Sequence, residues 1–326
     1  MGMILSLASG KGGVGKSVLS ANLAWLLAET GKRVVLADLD LGGTNLHTVL
    51  GFKNTNPGIG AFIDNKDAHL SDLLIPTGNS LLQFLPGDGL LPGAANLPFL
   101  RKLRILKELA SLDTDIVVMD LGAGSSYNTV DLFLGGHAGF VVTTPEPTAL
   151  LNAYGFIKTC LFRLLSGSVP AKHPLRADVR KHFCSTSGDG HENEDHAGIS
   201  KFLDYAATID PQKAAVMKAR AQAFSPRIVI NAGKELEEIK LGAKLRKSCT
   251  NNLGVNIEYL AYLPWDDGVR ASIIARKLLC QTSPEAPFTK AVRNLAERVI
   301  TSDLTKPAQP YGAFEDLQEL ANAFEG

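Results

Sequence analysis

Residues 9–17, Ser9-Gly10-Lys11-Gly12-Gly13-Val14-Gly15-Lys16-Ser17, combine glycines, two lysines and a closing hydroxyl in one short run. That mix suits the holding of a polyphosphate. Glycines let consecutive backbone N–H groups turn inward toward phosphate oxygens. Lys16 would meet the β/γ charge and the Ser17 hydroxyl would ligate Mg²⁺, with Gly10, Gly12, Gly13, Val14, Gly15 and Val18 completing the cradle of a P-loop. The run lies between an apolar strand, Met3 to Ala8, and an apolar helix, 17 to 29, whose positive end points at the same place.

Gly10-x-Gly12-x-x-Gly15 also fits a dinucleotide fingerprint, with Asp38 ending the next strand where a ribose-binding acid would sit. Lys16-Ser17 separates the two readings. A pyrophosphate held by backbone alone needs neither residue, whereas a triphosphate with Mg²⁺ uses both.

Lys11 lies too close along the chain to duplicate Lys16, and its side chain can point away from its own nucleotide. Lys-Gly-Gly-Val-Gly-Lys-Ser resembles the deviant Walker A motif of the MinD/ParA superfamily. The resemblance implies an ATPase that forms a homodimer in the ATP state, with Lys11 reaching the partner's phosphates. It also implies an α/β fold, a mostly parallel twisted sheet flanked by helices.

Further acids follow at strand ends. Asp38-Leu39-Asp40 closes the buried run Lys32 to Asp38, at the edge where open α/β sheets bind ligands. Two carboxylates beside a triphosphate suit Mg²⁺ binding and the orienting of an attacking water. Asp120-Leu121-Gly122-Ala123-Gly124 follows the strand Asp115 to Met119, with Asp120 placed to hold Mg²⁺ and Gly124 to offer its N–H to a γ-phosphate. The expected metal set is therefore Ser17, Asp38, Asp40 and Asp120. The resemblance adds Asp40 as the residue that positions water, beside Lys11 and Lys16 as catalytic groups, and Asn45 as part of the first switch segment. Asn231 ends a strand and is expected to read adenine through its amide, with Pro264, Trp265 and Asp266 around the base.

The 326 residues carry 33 basic and 33 acidic side chains, and 45% are hydrophobic. Such a chain can bury a large α/β core, and its balance argues against a globally basic nucleic-acid binder. Four scattered cysteines form no Cys-x-x-Cys pair, which speaks against a zinc site or a carried metal cluster. There is neither a leader pattern nor a run of about eighteen apolar residues, so a cytoplasmic protein is expected, with peripheral membrane or polar association left open.

Residues 1–302 read as one P-loop ATPase domain interrupted at about 166–225 by a partly helical insertion with a polar loop at 185–197. The basic helix Leu97 to Leu109 reads as having a solvated face. Val141 to Ala149 and the helix after it resemble the FlhG branch of the superfamily, which implies a spatial regulator of flagella or cell poles with an unidentified protein partner. The alternative is a partitioning ATPase of the ParA type, for which Lys213, Lys218 and Arg220 would supply a local DNA-binding patch. Residues 303–326 read as a linker and an acidic amphipathic helix. Without Lys or Arg in 312–326, this tail is expected to dock on protein rather than on anionic lipid.

Overall fold

The computed structural model describes residues 2–43, 45–53, 57–87, 97–184 and 198–307, together with Asp316 and Leu320. In chain order the first half comprises β1 (Met3–Ser9), α1 (Lys16–Glu29), β2 (Val34–Leu39), α2 (Leu46–Val49), α3 (Ile59–Asp64), β3 (Ile75–Pro76), β4 (Leu82–Leu85), α4 (Phe99–Ser111), β5 (Ile116–Ala123), α5 (Tyr127–Leu134) and β6 (Ala138–Thr143). The second half comprises α6 (Pro147–Gly167), α7 (Pro174–Cys184), α8 (Ile199–Ile209), α9 (Pro211–Ala223), β7 (Arg227–Gly233), α10 (Ile239–Leu253), β8 (Glu258–Pro264), α11 (Asp267–Ala275), α12 (Leu279–Thr282) and α13 (Pro287–Thr301). The polar loop expected at 185–197 lies outside the described residues.

The strands form one eight-stranded sheet in the order β3-β4-β2-β5-β1-β6-β7-β8, parallel throughout except for the β3–β4 pair. Crossovers from β1 run first to one side, toward β2 and β4, and later to the other, toward β6, β7 and β8. The carboxyl end of β1 is thus a topological switch point, where such sheets open a crevice for ligands.

Helices cover both sheet faces, so the strands read as unbroken apolar runs. In β2 every residue from Val34 to Leu39 is buried. Alternate residues serve opposite layers. Val35, Ala37, Val117 and Met119 pack with α5, α6 and α10 residues, whereas Val34, Leu36, Ile116 and Val118 pack with α1 and α13 residues.

Two of the four α4 cations differ from the solvated face expected of them, whereas Arg101 and Lys107 are exposed. Lys102 is buried and pairs with Asp131 at 2.5 Å, and Arg163 grips the same carboxylate from α6 at 2.6 Å. Arg104 donates to the carbonyls of Phe62, Asn65, Lys66 and Ala68, at 2.9–3.1 Å. Helical periodicity places these stems on the core side, where only a paired charge is tolerated.

The sheet's free edge at β8 is protected by side chains. Arg298 donates to the Leu260 carbonyl at 2.9 Å. Asp316 accepts from the Tyr259 N–H at 2.9 Å and is gripped by the Arg246 guanidinium of α10. Asp316 is only 1% exposed, and Leu320 packs on the core. A buried carboxylate so engaged ties residue 316 to the body and occupies an edge N–H that a foreign strand could otherwise take. Apart from Asp316 and Leu320, the expected tail helix lies outside the described residues.

Breaking a buried ion pair from one side costs roughly 3–5 kcal/mol, but undocking of the tail caps that cost. In Asp316→Ala, Glu-C cleavage within 307–326 is therefore expected to be about tenfold faster or more, because cleavage follows the open population. Unchanged cleavage kinetics would show that this pair does not hold the tail.

Candidate functional site

The phosphate-type loop leaves β1 at the switch point and ends in α1. Gly15 has φ +82°, a left-handed conformation that an L side chain rarely adopts, and a Cβ there would lie 2.2 Å from the Asn231 amide nitrogen. Gly10 packs against α6, where a Cβ would meet the Asn152 carbonyl oxygen at 2.1 Å. These close approaches are the local reason for glycine. Helix α1 begins without a side-chain cap and without an acid in its first turn, so its N–H dipoles are left to face the loop.

Beneath the loop lies a compact polar cluster. Asp38 on β2 and Asp120 on β5 are paired in register on neighbouring strands, and each is 1% exposed. Lys16 Nζ lies 2.7 Å from Asp120 Oδ1, and the Ser17 hydroxyl donates to Oδ2 at 2.6 Å. From one turn further along α1, the Ser20 hydroxyl lies 2.7 Å from Oδ1 and 3.0 Å from the Lys16 carbonyl. Asp38 accepts from the N–H groups of Asp40 and Leu46, both at 3.2 Å. Burial first, and then the charge of Asp120, push the Asp38 carboxyl up to about 7, against the opposing effect of those N–H groups and Lys16.

Asp40 and Asn45 stand apart from this cluster. The Asp40 carboxylate accepts from the Gly42 N–H at 3.3 Å and lies over Gly122, where a Cβ would come within 3.0 Å of it. Asn45 is exposed at the start of α2, with its amide on the Gly43 carbonyl at 3.0 Å. The Gly124 N–H, expected to face a γ-phosphate, instead donates to the Ser9 carbonyl at 2.8 Å. A phosphate contact would require that bond to open.

On the loop's outer side, Lys11 Nζ pairs with Glu146 at 2.9 Å and reaches the Thr148 hydroxyl at 3.4 Å. Both side chains of the ion pair are substantially exposed, at 32% and 63%.

Next to Gly13, Val14 and Val18 opens a cavity of about 630 Å³, also lined by Asn231, Pro264, Trp265 and Asp266. Asn231 donates its amide N–H to the Val14 carbonyl at 2.8 Å, which fixes its orientation. Trp265 remains 55% exposed, with the Lys234 ammonium 4.7 Å from its ring centroid. The Asp266 carboxylate caps α11 by accepting from the Gly268 N–H at 2.8 Å. The structure therefore brings the expected base-site residues together, while Asp266 is occupied in holding a helix start.

The cluster's donor set fits a Mg²⁺ ion shared with phosphates. Two buried carboxylates face one lysine, so without a further cation Asp38 holds a proton up to about pH 7, and Ser17 adds a hard oxygen beside Asp120. Among the described residues no group of three or more His, Cys, Asp or Glu side chains forms an all-protein metal cage. Mg²⁺ favours few protein ligands with water and phosphate supplying the rest.

Sequence reasoning missed Ser20 and Glu146. Ser20 had a legible signal, a hydroxyl on the Ser17 face of a largely apolar helix. Glu146 had none, because its pairing with Lys11 depends on the β1–β6 neighbourhood.

The raised Asp38 carboxyl sets a sign for stability. The nucleotide-free fold binds a proton up to about pH 7, whereas the unfolded chain releases it near 3.8, so this group's stabilising effect is lost as pH rises between those values. Denaturant unfolding of the nucleotide-free protein should lose on the order of 4 kcal/mol across that window relative to Asp38→Asn. Parallel pH profiles for the two proteins would contradict the assignment.

Comparison with known proteins extends the geometry. The sequence family described as the CobQ/CobB/MinD/ParA nucleotide binding domain matches residues 5–279. The antiactivator FleN of Pseudomonas aeruginosa is 24% identical over 319 residues, which cover 97% of this chain and 92% of FleN. The septum site-determining protein MinD of Helicobacter pylori is 35% identical over 154 residues, 47% of this chain and 57% of that protein. The flagellum site-determining protein YlxH of the same organism is 34% identical over 161 residues and aligned over 52% of its length. The chain thus spans little more than half of the last two. MinD of Pyrococcus furiosus has the same fold, with TM-score 0.61 and 20% identity over 92% of this chain and 99% of that one. MinD of Pyrococcus horikoshii, solved with Mg-ADP, gives TM-score 0.59 and 21% identity over 92% and 97%.

Proposed function

The chain belongs to the CobQ/CobB/MinD/ParA nucleotide-binding family, and from that premise we propose that it is a Mg-ATP-dependent, dimerising ATPase switch acting as a spatial regulator of the FlhG type. Its reaction would be ATP plus water to ADP plus phosphate, slow alone and stimulated by a protein partner. The observation that carries this reading is the arrangement of the two lysines. Lys16 lies inside the cluster, 2.7 Å from Asp120, while Lys11 lies outside it on an exposed pair with Glu146.

Phosphates entering the loop would take the N–H groups of residues 13–17 and draw Lys16 away from Asp120. That exchange releases Asp120 and Ser17, which together with Asp38 would hold Mg²⁺ directly or through water; the ion would neutralise charge on the β- and γ-oxygens. Asp40 lies at the mouth of this arrangement and would orient the attacking water, since phosphoryl transfer depends more on a placed nucleophile than on a strong base. Gly124 would leave the Ser9 carbonyl for the γ-phosphate, giving the loop after β5 two states.

Lys11 is poised differently. An exposed ion pair is worth about 0–1 kcal/mol, so Glu146 releases it at small cost. In a nucleotide sandwich, the freed ammonium would meet the phosphates of the second copy. The likeness to FleN over nearly the whole chain supports placement of flagella or of pole-associated machinery as the role. No described helix is long and apolar enough to cross a membrane, and Asp316 and Leu320 anchor the acidic tail on the body.

Light scattering tests the switch. Asp40→Ala should be dimeric with ATP and monomeric with ADP or without nucleotide, while Lys11→Ala should stay monomeric throughout. Lys16→Ala should lower ATP turnover by roughly 100-fold or more. A solution mass that ignores nucleotide in every variant would refute the sandwich, and equal turnover in wild type and Lys16→Ala would refute the site.

A further inference from the structure

The Asp120 carboxylate is held by three side-chain donors of unequal permanence. Lys16 and Ser20 serve Oδ1, both at 2.7 Å, and Ser17 serves Oδ2 at 2.6 Å. Lys16 and Ser17 are the two that a bound Mg-nucleotide recruits to itself. If both turn to the ligand, Asp120 loses two of its three side-chain donors at the moment when its orientation matters most. Ser20 is the one that has no other call on it from the ligand. It lies behind the carboxylate, fully buried, one turn deeper in α1 than Ser17.

We infer that Ser20 is the positioning residue of the metal-binding carboxylate: its hydroxyl clamps Asp120 Oδ1 in both states and leaves Oδ2 facing Ser17 and the incoming cation. This rests on the nucleotide-site reading above and adds to it a residue that never touches nucleotide, metal or water. The side-chain split supports the geometry. Oδ1 faces the helix interior, where Ser20 waits, and Oδ2 faces the loop, where the Ser17 hydroxyl already lies. Without Ser20, a carboxylate that is 1% exposed and set beside Asp38 would keep no side-chain donor once Lys16 and Ser17 turn away, and would be free to rotate off the metal direction.

The Ser20 hydroxyl also lies 3.0 Å from the Lys16 carbonyl, a common back-bond within helices. A purely local role in the helix would make Ser20 indifferent to metal. The two roles therefore separate experimentally.

The test is binding of a fluorescent ADP analogue, titrated with Mg²⁺ and repeated in excess EDTA, for wild type, Ser20→Ala, Ser20→Cys and Ser20→Thr. Removing an outer partner of a metal ligand commonly costs 10-fold or more in metal affinity, and for a site shared with phosphates a rise of about 3- to 10-fold in the Mg²⁺ concentration at half-saturation is expected for Ser20→Ala. Ser20→Cys, close in size but a poor donor, should behave the same and serves if Ser20→Ala does not fold. Ser20→Thr keeps the hydroxyl and should restore the wild-type value. Nucleotide affinity in EDTA should stay within about twofold of wild type for all three. A Mg²⁺ half-saturation within twofold of wild type in Ser20→Ala and Ser20→Cys would overturn the inference. So would an equal loss of affinity with and without Mg²⁺, the mark of a helix defect. If the wild type itself shows no Mg²⁺-dependent binding, the nucleotide-site reading fails first, and the inference falls with it.

Discussion

Two carboxylates buried side by side constrain everything around them. Asp38 and Asp120 stand in register on adjacent parallel strands, in a sheet covered by helices on both faces. Neither can reach bulk water, and they repel each other. Burial of this kind persists only where opposing charge or donors are supplied locally. The chain supplies Lys16, two hydroxyls and two backbone N–H groups, and it supplies them from α1 and from the turn after β2. The loop between β1 and α1 must therefore bring Lys16 back over the sheet, which requires the tight, glycine-built path that also forms a phosphate cradle.

The apolar layers make that demand rigid. Helix α1 is wedged between the sheet and α13, and Asn22 on α1 accepts from the Cys280 N–H at 3.0 Å, which ties α1 to α12. The scaffold fixes the helix so that its first turn cannot drift from the carboxylates. Under the proposed function, the change on nucleotide entry would fall to side chains and to the loops after β2 and β5. Rigid elements with adjustable ends are what a two-state response to a ligand requires.

Much of this was legible in the sequence because the signals were local. Gly15-Lys16-Ser17 announced the cradle, and the β-branched runs ending in Asp38 and Asp120 announced strands with acids at the ligand edge. The family resemblance extended naturally from these residues. What was not legible depended on contacts between distant segments. Lys102 and Arg104 read as surface charges because their partners, Asp131 and the 62–68 loop carbonyls, come from other elements. The docking of Asp316 depends on Arg246 and the β8 edge, and the engagement of the Gly124 N–H depends on the end of β1. Periodicity could place the Lys102 and Arg104 stems toward the core, but no local pattern names the distant partner in any of these cases.

The two lysines of the loop illustrate how burial sets the order of events. Lys16 is 7% exposed and pairs with a carboxylate that is 1% exposed, so its departure would strand a charge unless a ligand and cation replace it at once. Lys11 pairs in the open with Glu146, where solvent screens both partners and compensates either when they separate. Under the proposed function, release of Lys16 must therefore be coupled to nucleotide entry, whereas release of Lys11 needs only a competing anion. A second copy carrying phosphates is such an anion, and it exists only after the first exchange has taken place there. Ligand binding before pairing thus follows from where the two ammonium groups are buried, without any additional device.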